Sequence, residues 1–335
     1  MRRLPAEFEP QSFVQVIFPH PQSDWEPYLE EARANFVAIA RGIARFEPCL
    51  VVCDDIDTVR AYFDDLTNLH FVQCDTDDTW ARDSSGITVY DGGDAKILDF
   101  TFTGWGGKFD ATLDSAMTRA IAGHYGAPVE TIDMILEGGG IESNGEGVLL
   151  TTSECLLNPN RNAQMDKTAV ETALKQHFGI KKTLWLENGY LSGDDTDSHI
   201  DTLARFISKD TIMYVRCDDS KDEHFEALGE MKRELEALRD LEGNPFTLIP
   251  LPMCDALYYD DERLPATYAN FLIINGAVLV PVYGVSQDDE ALAVFASAFP
   301  DREIVAVDCS VLVRQHGSLH CVTMQFPRRV DLVSN

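Results

Sequence analysis

The chain has 335 residues, 45% hydrophobic and 25% charged, which suits a globular protein of two ordinary domains or one large α/β domain. Its 56 acidic against 27 basic residues leave a net charge of −29, which argues against nucleic acid and anionic lipid as partners and favours cations. No stretch approaches the roughly 18 apolar residues of a membrane span, and no apolar run backs the two N-terminal arginines, so a cytoplasmic protein is expected. The eight cysteines are scattered without a CxxC pair, as in a protein of reduced thiols rather than a disulfide framework or a zinc site.

In chain order, "FVQVIFP" (13–19) reads as a strand, and residues 25–46 follow as an amphipathic helix with apolar residues at 28, 29, 36, 37, 40, 43 and 46, close to helical spacing. The strand "CLVVC" and a hairpin turning at 91–94 come next. The pattern then repeats. Helix 110–125 leads to "VETIDMI" and a hairpin turning at Asn144 and Gly145; helix 165–178 leads to "TLWL" and a hairpin turning at 208–210. Helix 221–241 leads to "FTLIPL" and a hairpin turning at Asn275 and Gly276; helix 288–299 leads to "EIVAVD" and a last strand, "LHCVTMQF". That last strand and 13–19 each lack a partner, and pairing them closes a ring and removes two edges. Five repeats of helix, strand and hairpin therefore predict a closed propeller of α/β blades in one domain, residues 1–335. An open doubly wound sheet has no use for four tight hairpins.

Unusual polar residues collect at the leading ends of the hairpin strands: "DTWARDSSG", "LEGGGIESNGEG", "GDDTDSHIDTLARF" and "HGSLHCVTMQFP". In a ring these ends converge, so Asp83, Glu137, His199, Asp201 and Cys321 are expected to meet although they span 239 positions (321 − 83 + 1). If 195–201 is extended, Asp195, Asp197, His199 and Asp201 share one face. Such a run is a solvated acidic loop, a carboxylate/His metal site or a site for an organic cation. The apolar "LARFI" carries His199 and Asp201 into a buried strand, and buried carboxylates require a cationic partner. Cys321 is either a small core residue or, with His199 from another blade, half of a Cys/His dyad; His320 beside it is set aside because neighbours on a strand face opposite ways. "EGGG" is either a turn or a carboxylate followed by backbone open to close approach, and "WARD" either holds a structural Arg82 ion pair or presents Asp83.

Taken in order, "FPHPQSDW", "WARD", "GWGGKFD", "EGGG", "DTDSHID" and "GSLHC" closely resemble the agmatine deiminase family, relatives of the bacterial peptidylarginine deiminases within the guanidine-modifying superfamily. The resemblance spans nearly the whole chain and implies the pentein fold, a five-bladed α/β propeller with pseudo-fivefold symmetry. It implies Cys321 as nucleophile, His199 as general acid/base, Asp83 and Asp201 as the carboxylates holding the guanidinium, and Glu137 as the carboxylate accompanying the His. It implies Trp80 and Trp25 as linings of the substrate channel. Ser198 stands where Gly is common, and "GSLHC" where the family more usually has "GGNIHC".

The implied reaction is hydrolytic deimination of agmatine to N-carbamoylputrescine and ammonia through a Cys thiouronium, with no cofactor and no metal. Two carboxylates suit a planar guanidinium with five N–H donors. The expected partner is this small cationic guanidine, with no nucleic acid and no membrane; a homodimer stays open. Within the superfamily the rivals are an arginine deiminase, a peptidylarginine deiminase and an amidinotransferase. A secreted peptidylarginine enzyme is expected to carry a signal peptide and an extra C-terminal domain. From other classes come a metal-dependent hydrolase on the Asp/His strand and a non-catalytic ribosome-binding factor, the latter at odds with the charge of −29.

Overall fold

The computed structural model of the protein describes residues 2–333. The helices form where the periodicity placed them. Leu29–Ala44 buries Ala32, Phe36, Ile39, Ala40 and Ile43, one stripe at three- and four-residue spacing. Lys167–Phe178 starts at Asp166, whose side chain accepts from the Ala169 N–H, and stops at Gly179 in the left-handed region. Two helices are shorter than expected. The second predicted helix is Asp114–Ala120, ending where Ile121 leaves helical geometry (φ −99°, ψ 13°). The fourth is Phe225–Ala237, because Leu238 is already extended, well before Gly243. Its expected first acids instead lie in a turn where Asp222 accepts from the His224 N–H at 2.9 Å.

The strands form small mixed sheets of at most four strands among the described residues, which rules out the open doubly wound alternative. Ala204–Ser208 pairs antiparallel with Thr211–Arg216, which pairs parallel with Thr247–Pro252. Leu272–Ile274, Ala277–Val282 and Glu303–Asp308 repeat this, as do Ile87–Asp91, Asp94–Thr101 and Val129–Ile135. Glu142–Ser143, Val148–Thr152 and Lys182–Leu186 make the fourth such sheet. In the fifth, Thr323–Pro327 from the C-terminal end pairs antiparallel with Gln11–Ile17, which pairs parallel with Cys49–Cys53.

The expected pairing of the two terminal strands is therefore present. The phase of the repeat differs from the sequence reading. The strand after each helix returns to the hairpin before it, so each sheet runs hairpin, helix, strand. A parallel neighbour needs the helical crossover, and the strand finds it on the side it came from. Additions outside the repeat are Arg2–Arg3 beside Ile87–Asp91, Leu69–Gln73 beside Cys49–Cys53, and a short hairpin of Tyr258–Tyr259 and Glu262–Arg263. Side chains between sheets and helices form three buried apolar clusters, and among the described residues no helix is long and apolar enough to cross a membrane.

Candidate active site

Each sheet's first strand is preceded by an irregular segment, and these segments carry the polar residues. Asp83 lies on the single turn Ala81–Ser84, Glu137 precedes the turn Gly138–Gly140, and His199 precedes the turn Ile200–Thr202 that holds Asp201. Cys321 stands two residues before Thr323–Pro327, in a turn rather than in the expected strand. The remaining sheet supplies Asn270, which the sequence reading passed over. "YANFLIING" leads into a hairpin as the other segments do, and that was the available signal. Its side-chain oxygen accepts from the backbone N–H groups of His320 (2.8 Å) and Cys321 (3.2 Å) and lies 3.4 Å from the Cys321 thiol.

These segments converge on Gly139. A Cβ built there would lie 2.6 Å from His199 Nδ1, 2.9 Å from Asp83 Oδ1 and 3.1 Å from Asp201 Oδ2, so only glycine leaves these atoms undisturbed. Cys321 Sγ is 4.0 Å from Asp201 Oδ2. Asp83 accepts from Gly139 N–H (2.8 Å) and Trp105 Nε1 (3.0 Å). Asp201 Oδ1 and both ring nitrogens of His199 are buried without a hydrogen-bond partner. Unpaired buried polar atoms are costly, and here they gather around one place.

Burial and the neighbouring charges of Asp201 and Glu137 push the Asp83 carboxyl up to about 8. Burial pushes Asp201 up as well, but His320 holds it below the usual carboxylate range. Burial also drives His199 down to about 3, so its imidazole is neutral, and raises the Cys321 thiol well above its ordinary value with help from Asp201 and Asp83.

The acidic run ahead of His199 is not extended. Asp194 accepts from Thr196 Oγ1 (2.6 Å) and Ser198 N–H (2.7 Å), and Asp197 and Ser198 take positive φ (65° and 60°). The loop so formed breaks the alternation that was to put four side chains on one face. Asp195 faces the cavity described below, whereas Asp197 turns to Arg161 (2.6 Å) and Lys108 (2.8 Å). Both readings of "WARD" hold: Asp83 is presented, and Arg82 is buried, donating to Gln325 at 2.6 Å and to the His320 carbonyl at 3.3 Å and meeting Glu7 at 3.5 Å.

Glu137 is buried and its carboxylate is held by Arg161 Nε at 2.8 and 3.1 Å. Glu137, Cys155 and His199 bring potential metal ligands within 4.8 Å of one another. Arg161 already supplies the cation for Glu137, and burial keeps Cys155 a thiol, so these groups fit a divalent metal poorly.

A cavity of 590 Å³ opens over Cys321 and Asp83, walled by Trp80, Trp105 and Phe109. Trp80 donates to Asp78 at 3.0 Å and presses on Gly317, where a Cβ would come within 2.1 Å of the indole. Trp25 is not a lining residue. It is fully buried behind Trp80, 5.8 Å between ring centroids, and donates to Thr79. The cavity lining also carries the exposed Asp24 and Glu262 and the half-buried Asp78, Asp194 and Asp195. Its Arg263 is already paired with Asp222 (2.6 Å) and Glu223 (3.0 Å).

Residues 3–327 match the model of the family described as Porphyromonas-type peptidyl-arginine deiminase. The chain belongs to this family. Among relatives of the deiminase is the agmatine deiminase of Pseudomonas aeruginosa (strain LESB58), 33% identical over 97% of this chain and 95% of its own. A solved structure of a cysteine-to-serine variant of C. jejuni agmatine deiminase, described as having substrate bound, is 42% identical over 97% and 96% of the two chains, with a TM-score of 0.93. Another, from Porphyromonas gingivalis and provisionally described as an arginine deiminase, is 47% identical over 99% and 100%, with a TM-score of 0.95.

Proposed function

We propose that this deiminase hydrolyses the guanidinium of agmatine, giving N-carbamoylputrescine and ammonia, and that Cys321, His199, Asp83, Asp201 and Glu137 serve the chemistry. We read its sheets as the blades of a closed five-bladed ring and residues 1–335 as one catalytic domain. The observation that carries the functional reading is a cavity lined by Asp83 and five further carboxylates, whose only arginine among the described lining residues is already engaged. A dication with a guanidinium at one end and an ammonium at the other matches it.

In this reading the guanidinium lies between Asp83 and Asp201, donating to the unpartnered Asp201 Oδ1, with Trp80 and Trp105 along its alkyl chain. Its charge ionises Asp83 and offsets the carboxylates that hold Cys321 as a thiol, so the nucleophile is activated by the substrate. The thiolate bonds to the guanidinium carbon. Neutral His199 takes up the proton that the Cys321 thiol gives up and passes it to the departing nitrogen, the C–N bond breaks and ammonia leaves. Neutral His199 then takes a proton from water, whose oxygen bonds to the thiouronium carbon. The C–S bond breaks, the Cys321 thiolate takes that proton back from His199 and the ureido product is released. Glu137, fixed by Arg161 behind His199, steadies the imidazolium formed in both steps.

Arginine adds a carboxylate to a cavity already rich in them, with no uncommitted cation among the described lining residues. Agmatine should exceed arginine by at least about 100-fold in kcat/KM. The test is ammonia and ureido-product detection with agmatine, arginine and an arginyl peptide side by side. Comparable turnover of arginine or the peptide would overturn the assignment.

A further inference from the structure

The mechanism leaves unused a buried charge network beneath Asp201. His320 Nδ1 is 2.7 Å from Asp201 Oδ2, and its Nε2 is 2.7 Å from Glu7 Oε2. Glu7 comes from the N-terminal segment, 313 residues away in sequence. The same carboxylate meets Arg205 Nη2 at 2.9 Å and Arg82 Nη2 at 3.5 Å, and accepts from the Ile273 N–H at 2.8 Å. Arg205 also meets Glu142 at 3.1 Å. All six side chains are at most 7% exposed.

Ionised carboxylates only accept hydrogen bonds, and a neutral imidazole has a single N–H. With a carboxylate oxygen 2.7 Å from each ring nitrogen, a neutral ring would face one of them lone pair to lone pair. The triad therefore holds one proton more than a neutral imidazole with two carboxylates. With Glu7, Glu142 and Asp201 all ionised against Arg82 and Arg205, one negative charge is left for an imidazolium to cancel; burial raises the Glu142 carboxyl to about 7, so this count applies above that pH. Burial and the two guanidinium groups lower His320 below its ordinary value against the pull of Glu7 and Asp201, so it is the two 2.7 Å contacts that argue for the second proton.

We propose that Glu7 is a positioning residue of the active site: it keeps His320 an imidazolium, which pins Asp201 Oδ2 and leaves Oδ1 ionised and free for the guanidinium. This rests on the reading of Asp201 as a substrate carboxylate. The N-terminal segment thereby completes a site whose other members begin at residue 83.

The sign follows from linkage. Without Glu7 the imidazolium loses a counter-charge and deprotonates, and Asp201 loses a cationic neighbour, so its carboxyl protonates at higher pH. Glu7→Gln should raise agmatine KM more than it lowers kcat and move the acid limb of kcat/KM upward by about one pH unit. His320→Asn keeps an N–H toward Asp201 but cuts the link to Glu7. It should give the same shift, and the double variant should add nothing. If Glu7 only braces Arg82 and Arg205, melting temperature falls, the acid limb stays, and the two substitutions add; that result overturns the proposal. Should Glu7→Gln fail to fold, His320→Asn carries the test alone, and an unmoved acid limb overturns it. Independently of any activity, ¹⁵N-histidine NMR of the wild-type protein at pH 7, with the signal assigned by its loss in His320→Asn, should show both ring nitrogens of His320 protonated. A neutral tautomer there overturns the proposal. Absence of agmatine turnover in a wild-type protein that shows the imidazolium would instead reject the substrate reading.

Discussion

Gly139→Ala places one methyl group among the atoms on which the proposed chemistry depends. Its φ is not in the left-handed region, so the backbone itself accepts alanine. The new carbon, however, would lie 2.6 Å from His199 Nδ1, 2.9 Å from Asp83 Oδ1 and 3.1 Å from Asp201 Oδ2. Restoring an ordinary contact of 3.4 Å moves these atoms by roughly 0.8, 0.5 and 0.3 Å, since packed interiors offer no slack. Displacements approaching 1 Å cost on the order of 100-fold, so kcat/KM for agmatine should fall by at least about that much. Overpacking of this kind destabilises by about 1–3 kcal/mol, so the variant should still fold with a melting temperature a few degrees lower. The assay is ammonia release paired with thermal unfolding. Gly229→Ala is the control: it lies in Phe225–Ala237 with nothing within 4 Å of its added carbon, and it should match wild type in activity and gain slightly in stability. A Gly139→Ala variant with wild-type kcat/KM would refute the convergence on this glycine.

Guanidinium binding to Cys321→Ala should release a proton at pH 7, because Asp83, protonated up to about pH 8 in the empty site, ionises beside the cation. Calorimetry in buffers of different ionisation enthalpy measures it, and no buffer dependence would refute it. The same raised carboxyl means that the empty protein loses stability as pH rises from about 4 to the folded value near 8, and saturating guanidinium should lessen that loss. Cys321, its thiol held high by burial, Asp201 and Asp83, should react slowly with neutral iodoacetamide at pH 7 and much faster with a cationic haloacetamidine; equal selectivity would contradict substrate-assisted activation. His199→Ala should lower kcat by about 10²–10⁴, and a near-normal kcat would remove it from proton transfer.

Much of the architecture was legible because hairpin turns and helical periodicity are local signals. Asn275 and Gly276 turn where expected, and the pairing of 13–19 with the last strand followed from two unpaired edges. The phase of the repeat was not legible, because which neighbour a parallel strand chooses is a tertiary matter. The convergence of Asp83, His199, Asp201 and Cys321 followed from their common position ahead of a strand. What failed were inferences about side-chain direction from alternation. The positive φ of Asp197 and Ser198 breaks the period, and Cys321 with His320 sits in a turn, so His320 reaches Asp201 after all. Arg161, which holds Glu137, and Glu7, which holds His320, carry no motif signal. Their partners lie 24 and 313 positions away, and only the fold brings them together.

The central claim is a covalent intermediate on one particular thiol of eight. Acid quenching during agmatine turnover, followed by peptide mass mapping, tests it most directly. The account predicts an amidino adduct on Cys321 alone, absent from Cys321→Ala and accumulating in a variant slowed at His199. Turnover of agmatine with an unmodified Cys321, or with the adduct on another cysteine, would contradict it.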